Sequence, residues 1–122
     1  MATVRYLVAD VAVAKRFYID QLGFALVEGW GEALAIVGRD DLKLWLAGPE
    51  TSAAKSMPDG RKPVPGGWNR IVIEVADLAT ATARLTAAQV VFRNAVTKGP
   101  GGAQVLIEDP SGNPIELFEP RR

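Results

Sequence analysis

The heptapeptide VRYLVAD at Val4–Asp10 reappears as IVIEVAD at Ile71–Asp77, later in the same chain. Each copy is followed by apolar residues spaced three and four positions apart, which is the pattern of an amphipathic helix. Three short strand-like runs, separated by Gly, Asp or Pro, come after each helix. A repeated unit predicts a fold more firmly than any single motif. We therefore expect an α+β protein built from two strand–helix–three-strand (βαβββ) modules.

The boundaries of these modules can be predicted from turn and capping residues. Asp10 and Asp77 each precede a helical pattern and are expected to be N-caps, and Gly23 is a suitable left-handed terminator for the first helix. The predicted strands are Thr3–Val8, Phe24–Gly29, Ala33–Gly38, Leu42–Ala47, Trp68–Val75, Val90–Ala95, Ala103–Asp109 and Pro114–Glu119. We expect one domain, 1–122, with module one at 1–48, a linker at 49–67 and module two at 68–122.

The composition excludes several classes of function. Lysine and arginine together number 14, and so do the acidic residues, so the chain has no basic excess for nucleic acid or an anionic membrane. It has no cysteine and no histidine, hence no disulfide and no thiolate nucleophile. The N-terminal stretch lacks the order of a signal peptide, and no run is apolar enough for a membrane span. We expect a cytoplasmic protein.

Strand alternation separates a plain apolar face from a mixed one. Val4, Tyr6 and Val8 suit packing against a helix, whereas the intervening positions combine charge with large aromatic side chains. A mixed face of a curled sheet is a candidate ligand site, and Trp30 and Trp68, in predicted turns, are candidates for its rim. The candidate ligand-binding residues are Arg5, Leu7, Trp30, Lys43, Trp45, Trp68, Arg70, Val72, Glu116 and Phe118.

Three segments make the chain resemble the vicinal-oxygen-chelate superfamily, which includes glyoxalases, extradiol dioxygenases, and fosfomycin- and bleomycin-resistance proteins. They are the paired VAD–helix starts, FYIDQLGF at Phe17–Phe24, and DPSGNPIELFEP at Asp109–Pro120. The resemblance implies eight strands that form a curled cup, with the modules side by side or exchanged between two subunits. We also expect a homodimer whose two cavities are completed across the interface, because a single pair of modules leaves strand edges exposed and the linker at 49–67 is long enough for modules to be exchanged.

Enzymes of this superfamily hold a divalent metal with one residue from the first and last strand of each module. Carried onto this chain, the four positions fall on Thr3, Arg70, Glu116 and either Lys43 or Trp45, depending on the strand register. Of these, Glu116 is the one competent ligand. A guanidinium repels a divalent cation and does not lose its proton, and one carboxylate does not make a metal site. We expect no metal and no other cofactor.

Two functions remain open. The first is a metal-free binding protein, similar to the antibiotic-binding resistance proteins, that sequesters a bulky, partly aromatic natural product. In this function no residue has a catalytic role. A glycopeptide, a quinone-like polyketide, an enediyne and a mitomycin-like compound are all possible ligands. The alternative is a metal-free isomerase, cyclase or lyase of the same fold that uses Glu116 or Glu74 as general base.

Overall fold

The sequence repeat corresponds to two mixed β-sheets, each accompanied by one α-helix, so the expected α+β class is confirmed. The computed structural model describes residues 1–121. The chain divides into two units, which we call the first unit, Met1–Gly66, and the second unit, which begins at Gly67. Within the described residues, no helix is both long and apolar enough to cross a bilayer.

The first unit has the predicted βαβββ order. Its elements are β1 (Ala2–Leu7), α1 (Val11–Leu22), β2 (Ala25–Trp30), β3 (Leu34–Arg39), β4 (Leu42–Ala47) and a short 3-10 helix at Ser52–Ala54. The strands lie in the order β1-β4-β3-β2. β1 runs parallel to β4, and the other neighbours are antiparallel. Both β1 and β2 are therefore edge strands of this sheet.

The second unit repeats this order with one additional strand. Its elements are β5 (Ile71–Glu74), α2 (Leu78–Ala87), β6 (Val91–Phe92), β7 (Thr97–Gly99), β8 (Gly102–Glu108) and β9 (Pro114–Pro120). The strands lie in the order β5-β9-β8-β6, and β7 pairs with the beginning of β8. The expectation of eight strands was thus wrong by one, since residues 1–121 contain nine.

Both helices begin where the capping residues predicted. The Asp10 carboxylate accepts a hydrogen bond from the backbone N–H of Val13, and Asp77 accepts one from Thr80. The second helix has a further cap, because the Glu119 side chain accepts the N–H of Leu78 at 2.7 Å. Gly23 ends α1 in the left-handed region, with φ of 72°, as predicted.

Each sheet packs one face on its own helix. In the first unit, Val11, Ala14, Tyr18 and Leu22 of α1 are buried, as are Leu44 and Leu46 of β4. In the second unit, Leu78 and Leu85 of α2 are buried, together with the following strand residues: Ile71, Ile73, Val105, Ile107, Ile115 and Leu117. Removing these side chains from water is the main favourable contribution to folding in each unit.

Three predicted boundaries differ from the structure, and two of these differences have an identifiable physical cause. Trp30 is the last residue of β2, and the turn begins only after it. β5 begins at Ile71, not at Trp68, because the next register partner on β9 would be Pro114, which has no N–H to donate. The strand expected at 90–95 is reduced to Val91–Phe92, since the Asn94 side chain takes over the next bond and accepts the N–H of Leu106.

Candidate functional site

The strand registers make β1–β4 and β5–β9 equivalent ladders. Val4 pairs with Leu44 in the first unit, and Ile71 pairs with Ile115 in the second. One residue further, Arg5 pairs with Trp45, and Val72 pairs with Glu116. Trp45, and not Lys43, is therefore the counterpart of Glu116.

We call the sheet surface that faces away from α1 the far face of the first unit. Arg5, Trp45 and Ile36 form one row across it, because these residues are register partners on neighbouring strands. The Arg5 Cζ lies 4.9 Å from the centroid of the Trp45 ring. A guanidinium at this distance is attracted to the indole, so the two side chains are held next to each other.

The other predicted residues of the first unit extend this surface along the strands. Leu7, Leu34 and Trp30 belong to the next row, linked through Ala47 of β4. Trp30 is exposed, whereas Leu7 and Leu34 are half-buried. Lys43 lies two residues before Trp45 on β4, on the same face of the sheet and in register with Thr3. The far face thus combines aliphatic and aromatic side chains with two cations, Arg5 and Lys43, and Glu28 of β2 continues the central row beside Ile36.

The far face of the second unit is the equivalent surface, facing away from α2. Its central feature is an ion pair: Glu116 Oε1 accepts bonds from Arg70 Nη2 at 2.8 Å and Arg70 Nε at 3.1 Å. Glu116 is buried, and Arg70 covers it from the segment before β5. The guanidinium neutralises the carboxylate and occupies one of its oxygens.

Apolar side chains surround this ion pair. Val72 and Leu106 are the register partners of Glu116 on either side. Phe118 follows two residues later on β9, between Glu74 of β5 and Gln104 of β8. Val72 and Glu74 are exposed, Phe118 is half-buried and Leu106 is buried. This surface is suited to contact with an apolar or aromatic group.

A second ion pair in this unit was not anticipated from the sequence. Arg93 Nε donates to Glu108 Oε2 at 2.7 Å, and the Arg93 Cζ lies 4.6 Å from the centroid of the Trp68 ring. Both residues lay in predicted strands, but an arginine and a glutamate 15 positions apart carry no signal of pairing. The contact depends on the antiparallel approach of residues after β6 to β8.

The carried-over positions do not fit a divalent metal. They are occupied by Thr3, Trp45, Arg70 and Glu116, and the one carboxylate among them is already bound by the guanidinium of Arg70. Across residues 1–121, no group of three His, Cys, Asp or Glu side chains is arranged to hold a metal ion. The donor chemistry therefore supports no step that depends on a metal.

The predicted site residues fall into two sets, one in each unit. Arg5, Leu7, Trp30, Lys43 and Trp45 share the far face of the first sheet. Val72, Glu116 and Phe118 share the far face of the second, and Arg70 reaches it through Glu116. Trp68 precedes that sheet and is exposed. Either surface offers aromatic stacking together with a guanidinium.

Comparison with known sequences identifies a family. A sequence model described as the glyoxalase/bleomycin resistance protein/dioxygenase superfamily matches residues 1–117. No curated protein matches the chain.

Solved structures of similar fold include binding proteins and an enzyme. TnmS3, an antibiotic-binding protein from Streptomyces sp. CB03234, is 26% identical with a TM-score of 0.74, covering 98% of this chain and 93% of its own. Lactoylglutathione lyase from Agrobacterium tumefaciens is 22% identical with a TM-score of 0.74, covering 98% and 92%. The bleomycin-binding protein from Streptomyces verticillus is 22% identical with a TM-score of 0.66, covering 98% and 95%. At 22% identity, the latter two establish the fold alone.

Proposed function

This chain belongs to the glyoxalase/bleomycin resistance protein/dioxygenase superfamily, and from that premise we propose that it is a metal-free binding protein. Its ligand is a bulky, partly aromatic natural product or antibiotic, which it sequesters without chemical change. The ligand's rings contact aromatic and aliphatic side chains of a far face, and its polar groups bind the arginine of that face. Protection then follows from mass action, because bound drug cannot reach its target.

The observation that supports this proposal most is the chemistry at the equivalent positions Trp45 and Glu116. The first is an indole that stacks on Arg5, and the second is a carboxylate neutralised by Arg70. Neither arrangement offers a substrate the open coordination position of a metal, and the Glu116 carboxylate already accepts two hydrogen bonds from Arg70. Both arrangements favour contact with a flat ligand that has polar substituents.

The similarity to TnmS3 supports the same function. TnmS3 is an antibiotic-binding protein, and its structural alignment with this chain covers nearly the whole of both chains. From TnmS3 we transfer to this chain only the class of ligand, an antibiotic. A homodimer and a cytoplasmic location remain predictions from the sequence.

The deciding experiment is a fluorescence titration followed by mass spectrometry of the recovered compound. The protein is titrated with glycopeptide, quinone-like polyketide, enediyne and mitomycin-like compounds, and tryptophan emission reports binding. We expect one class to bind and to be recovered with unchanged mass and unchanged chromatographic retention. An altered product, formed in proportion to protein and time, would show that the sequestration proposal is wrong.

The alternative is a metal-free isomerase, cyclase or lyase, and one observation favours Glu74 as its base. Glu74 is exposed on β5 in register with Phe118, whereas Glu116 is buried and held by Arg70. If a product forms, Glu74→Gln should abolish it and Glu116→Gln should reduce it less. If the protein only binds its ligand, the ligand is recovered chemically intact from both variants.

Elemental analysis tests the metal-free part of the proposal separately. Protein purified without any chelator should contain far less than one equivalent of Ni, Zn, Mn or Fe per chain. Treatment with EDTA should leave ligand affinity unchanged. One stoichiometric divalent metal would contradict the proposal and favour an enzyme.

A further inference from the structure

The segment at 67–70, which leads into β5, is held to the second sheet by two arginines. It lies outside any strand, so no sheet ladder holds it. Arg70 is the last residue of the segment and Arg93 contacts its first two residues, and each arginine is paired with a glutamate of a central strand: Glu116 of β9 and Glu108 of β8. Trp68 thus lies between Gly67, whose carbonyl binds Arg93, and Arg70, which binds Glu116.

Arg93 has every nitrogen of its guanidinium engaged. Nε donates to Glu108 at 2.7 Å, Nη1 donates to the Gly67 carbonyl at 2.7 Å, and Nη2 donates to the Gly112 carbonyl at 2.9 Å. The Cζ of the same group lies over the Trp68 ring, 4.6 Å from its centroid. The Arg93 side chain is only 15% exposed. Three of its five N–H groups are bonded within the protein, and the side chain is largely buried, so its role is to position its neighbours.

Arg70 holds the end of this segment to β9. Its Nη1 donates to the Trp68 carbonyl at 3.3 Å, while Nε and Nη2 donate to Glu116. The Trp68 backbone is therefore tied to β9, and its ring is tied to β8 through Arg93. Two charge-assisted contacts on one short segment restrict both the backbone and the ring.

We propose that Trp68 is a pre-ordered stacking platform for the ligand, and that Arg93 is the residue that positions it. Trp68 is 69% exposed although one side of its ring is next to a guanidinium, so most of the indole remains open. A large aromatic held in place but open to solvent loses little further freedom when a flat ligand stacks on it. This inference rests on the proposed binding function and adds a positioning residue to it.

The charges beneath the platform select the class of ligand ring. The Arg93 guanidinium draws electron density toward the inner side of the indole, so the outer side is a poorer site for a cation. Both nearby carboxylates, Glu108 and Glu116, are paired with arginines and do not attract a cation either. The platform therefore favours a neutral, electron-rich planar ring over a cationic one.

The first test measures the mobility of Trp68 without any ligand. In the Trp30→Phe/Trp45→Phe double variant, Trp68 is the one remaining tryptophan, and time-resolved fluorescence anisotropy reports its motion. We expect little sub-nanosecond depolarisation, and a clear increase when Arg93→Gln is added. Arg61→Gln is the matched control, because Arg61 also pairs with a carboxylate at 2.7 Å but on an exposed segment of the first unit.

Two further variants keep this test decisive if Arg93→Gln does not fold. Glu108→Gln keeps Arg93 but removes its charged partner, and Arg93→Lys keeps the charge without the planar fork. Both should increase Trp68 motion relative to Arg61→Gln. An anisotropy decay that none of these variants alters would overturn the positioning role of Arg93.

The second test uses three probes of similar size, with affinity measured by equilibrium dialysis. Naphthalene-2-carboxamide is planar and neutral, its decahydro analogue is not planar, and N-methylquinolinium is planar but cationic. The wild type should prefer the first probe to each of the others by about 3- to 10-fold, the size expected of one stacking contact. Trp68→Leu should remove that preference, and Trp68→Phe should retain part of it.

The same assay on Trp45→Leu distinguishes this inference from the proposed function. If Trp45→Leu loses the preference and Trp68→Leu keeps it, the platform is wrong and the binding function stands. If the wild type shows no preference for the planar probe, both are wrong. The platform is supported if Trp68→Leu loses the preference for the planar neutral probe and Arg93→Gln increases the motion of the Trp68 ring.

Discussion

Trp45 occupies the position where the second unit carries Glu116, so the first far face presents an indole where the second presents a carboxylate. We predict that Trp45→Ala weakens binding of the aromatic ligand about tenfold or more, because stacking worth ~0.5–1.5 kcal/mol is lost together with apolar contact area. Trp45→Phe keeps a ring next to Arg5 and should lose less. Fluorescence or calorimetric titration measures both, and equal affinity in wild type and Trp45→Ala would contradict a contact at Trp45.

The pair formed by Arg70 and Glu116 predicts an asymmetric effect on stability. Arg70→Met leaves a buried carboxylate without its partner and should lower the free energy of unfolding by about 2 kcal/mol, a value reduced from that of fully buried pairs because Arg70 is 29% exposed. Glu116→Gln removes the charge and should cost less. Arg61→Met is the control, since its pair is exposed. Urea denaturation measures all three, and equal midpoints for Arg70→Met and Arg61→Met would contradict the argument.

At the scale of single elements, the turn between β7 and β8 depends on Gly102. Its φ is 152°, and a Cβ placed there would collide with the backbone carbonyl of Glu119 on β9. Gly102→Ala should therefore destabilise the β8–β9 pairing by about 2 kcal/mol or more, because backbone cannot move aside as a side chain can. Gly99→Ala is the matched control: a Cβ there meets nothing within 4 Å. Amide hydrogen exchange in β8 and β9 compares the two, and similar protection would refute the expected collision.

How well each element was predicted depends on how local its determinants are. Asp10, Asp77 and Gly23 act within one turn of their helices, and their roles followed from the sequence alone. The start of β5 depends on Pro114, a residue over 40 positions away that cannot donate a ladder bond. The shortening of β6 depends likewise on the Asn94 side chain reaching β8. Alternation predicts which face a strand residue occupies, but strand length is decided by the partner strand.

The same distinction applies to the candidate site in the whole molecule. Arg5, Trp45 and Phe118 could be assigned to the far faces from period-two alternation, once the strands were recognised. The positioning of Trp68 could not be predicted, because it depends on Arg93 and on carbonyls of Gly67 and Gly112 that are distant in sequence. Charged groups that are close in the folded protein have no regular spacing in the sequence, so their pairing cannot be predicted from it.

At the largest scale, we predict that the protein is a homodimer. β2 is an edge strand of the first sheet, and Leu26, Val27 and Trp30 on it are each more than half exposed. An exposed apolar edge strand promotes uncontrolled association unless a defined partner covers it. Sedimentation equilibrium at micromolar concentration should give the mass of two 13.1 kDa chains.

A charged substitution on β2 tests whether this strand is the covered surface. Leu26→Lys should shift the equilibrium toward the monomer, because burying an unpaired ammonium opposes association. Val64→Lys is the matched control, since Val64 is also exposed and apolar but lies outside any strand. If the wild type sediments as a single chain, the dimer prediction is wrong. If Leu26→Lys and Val64→Lys dimerise equally well, the dimer forms through a different surface, and β2 must resist edge-to-edge pairing by another means.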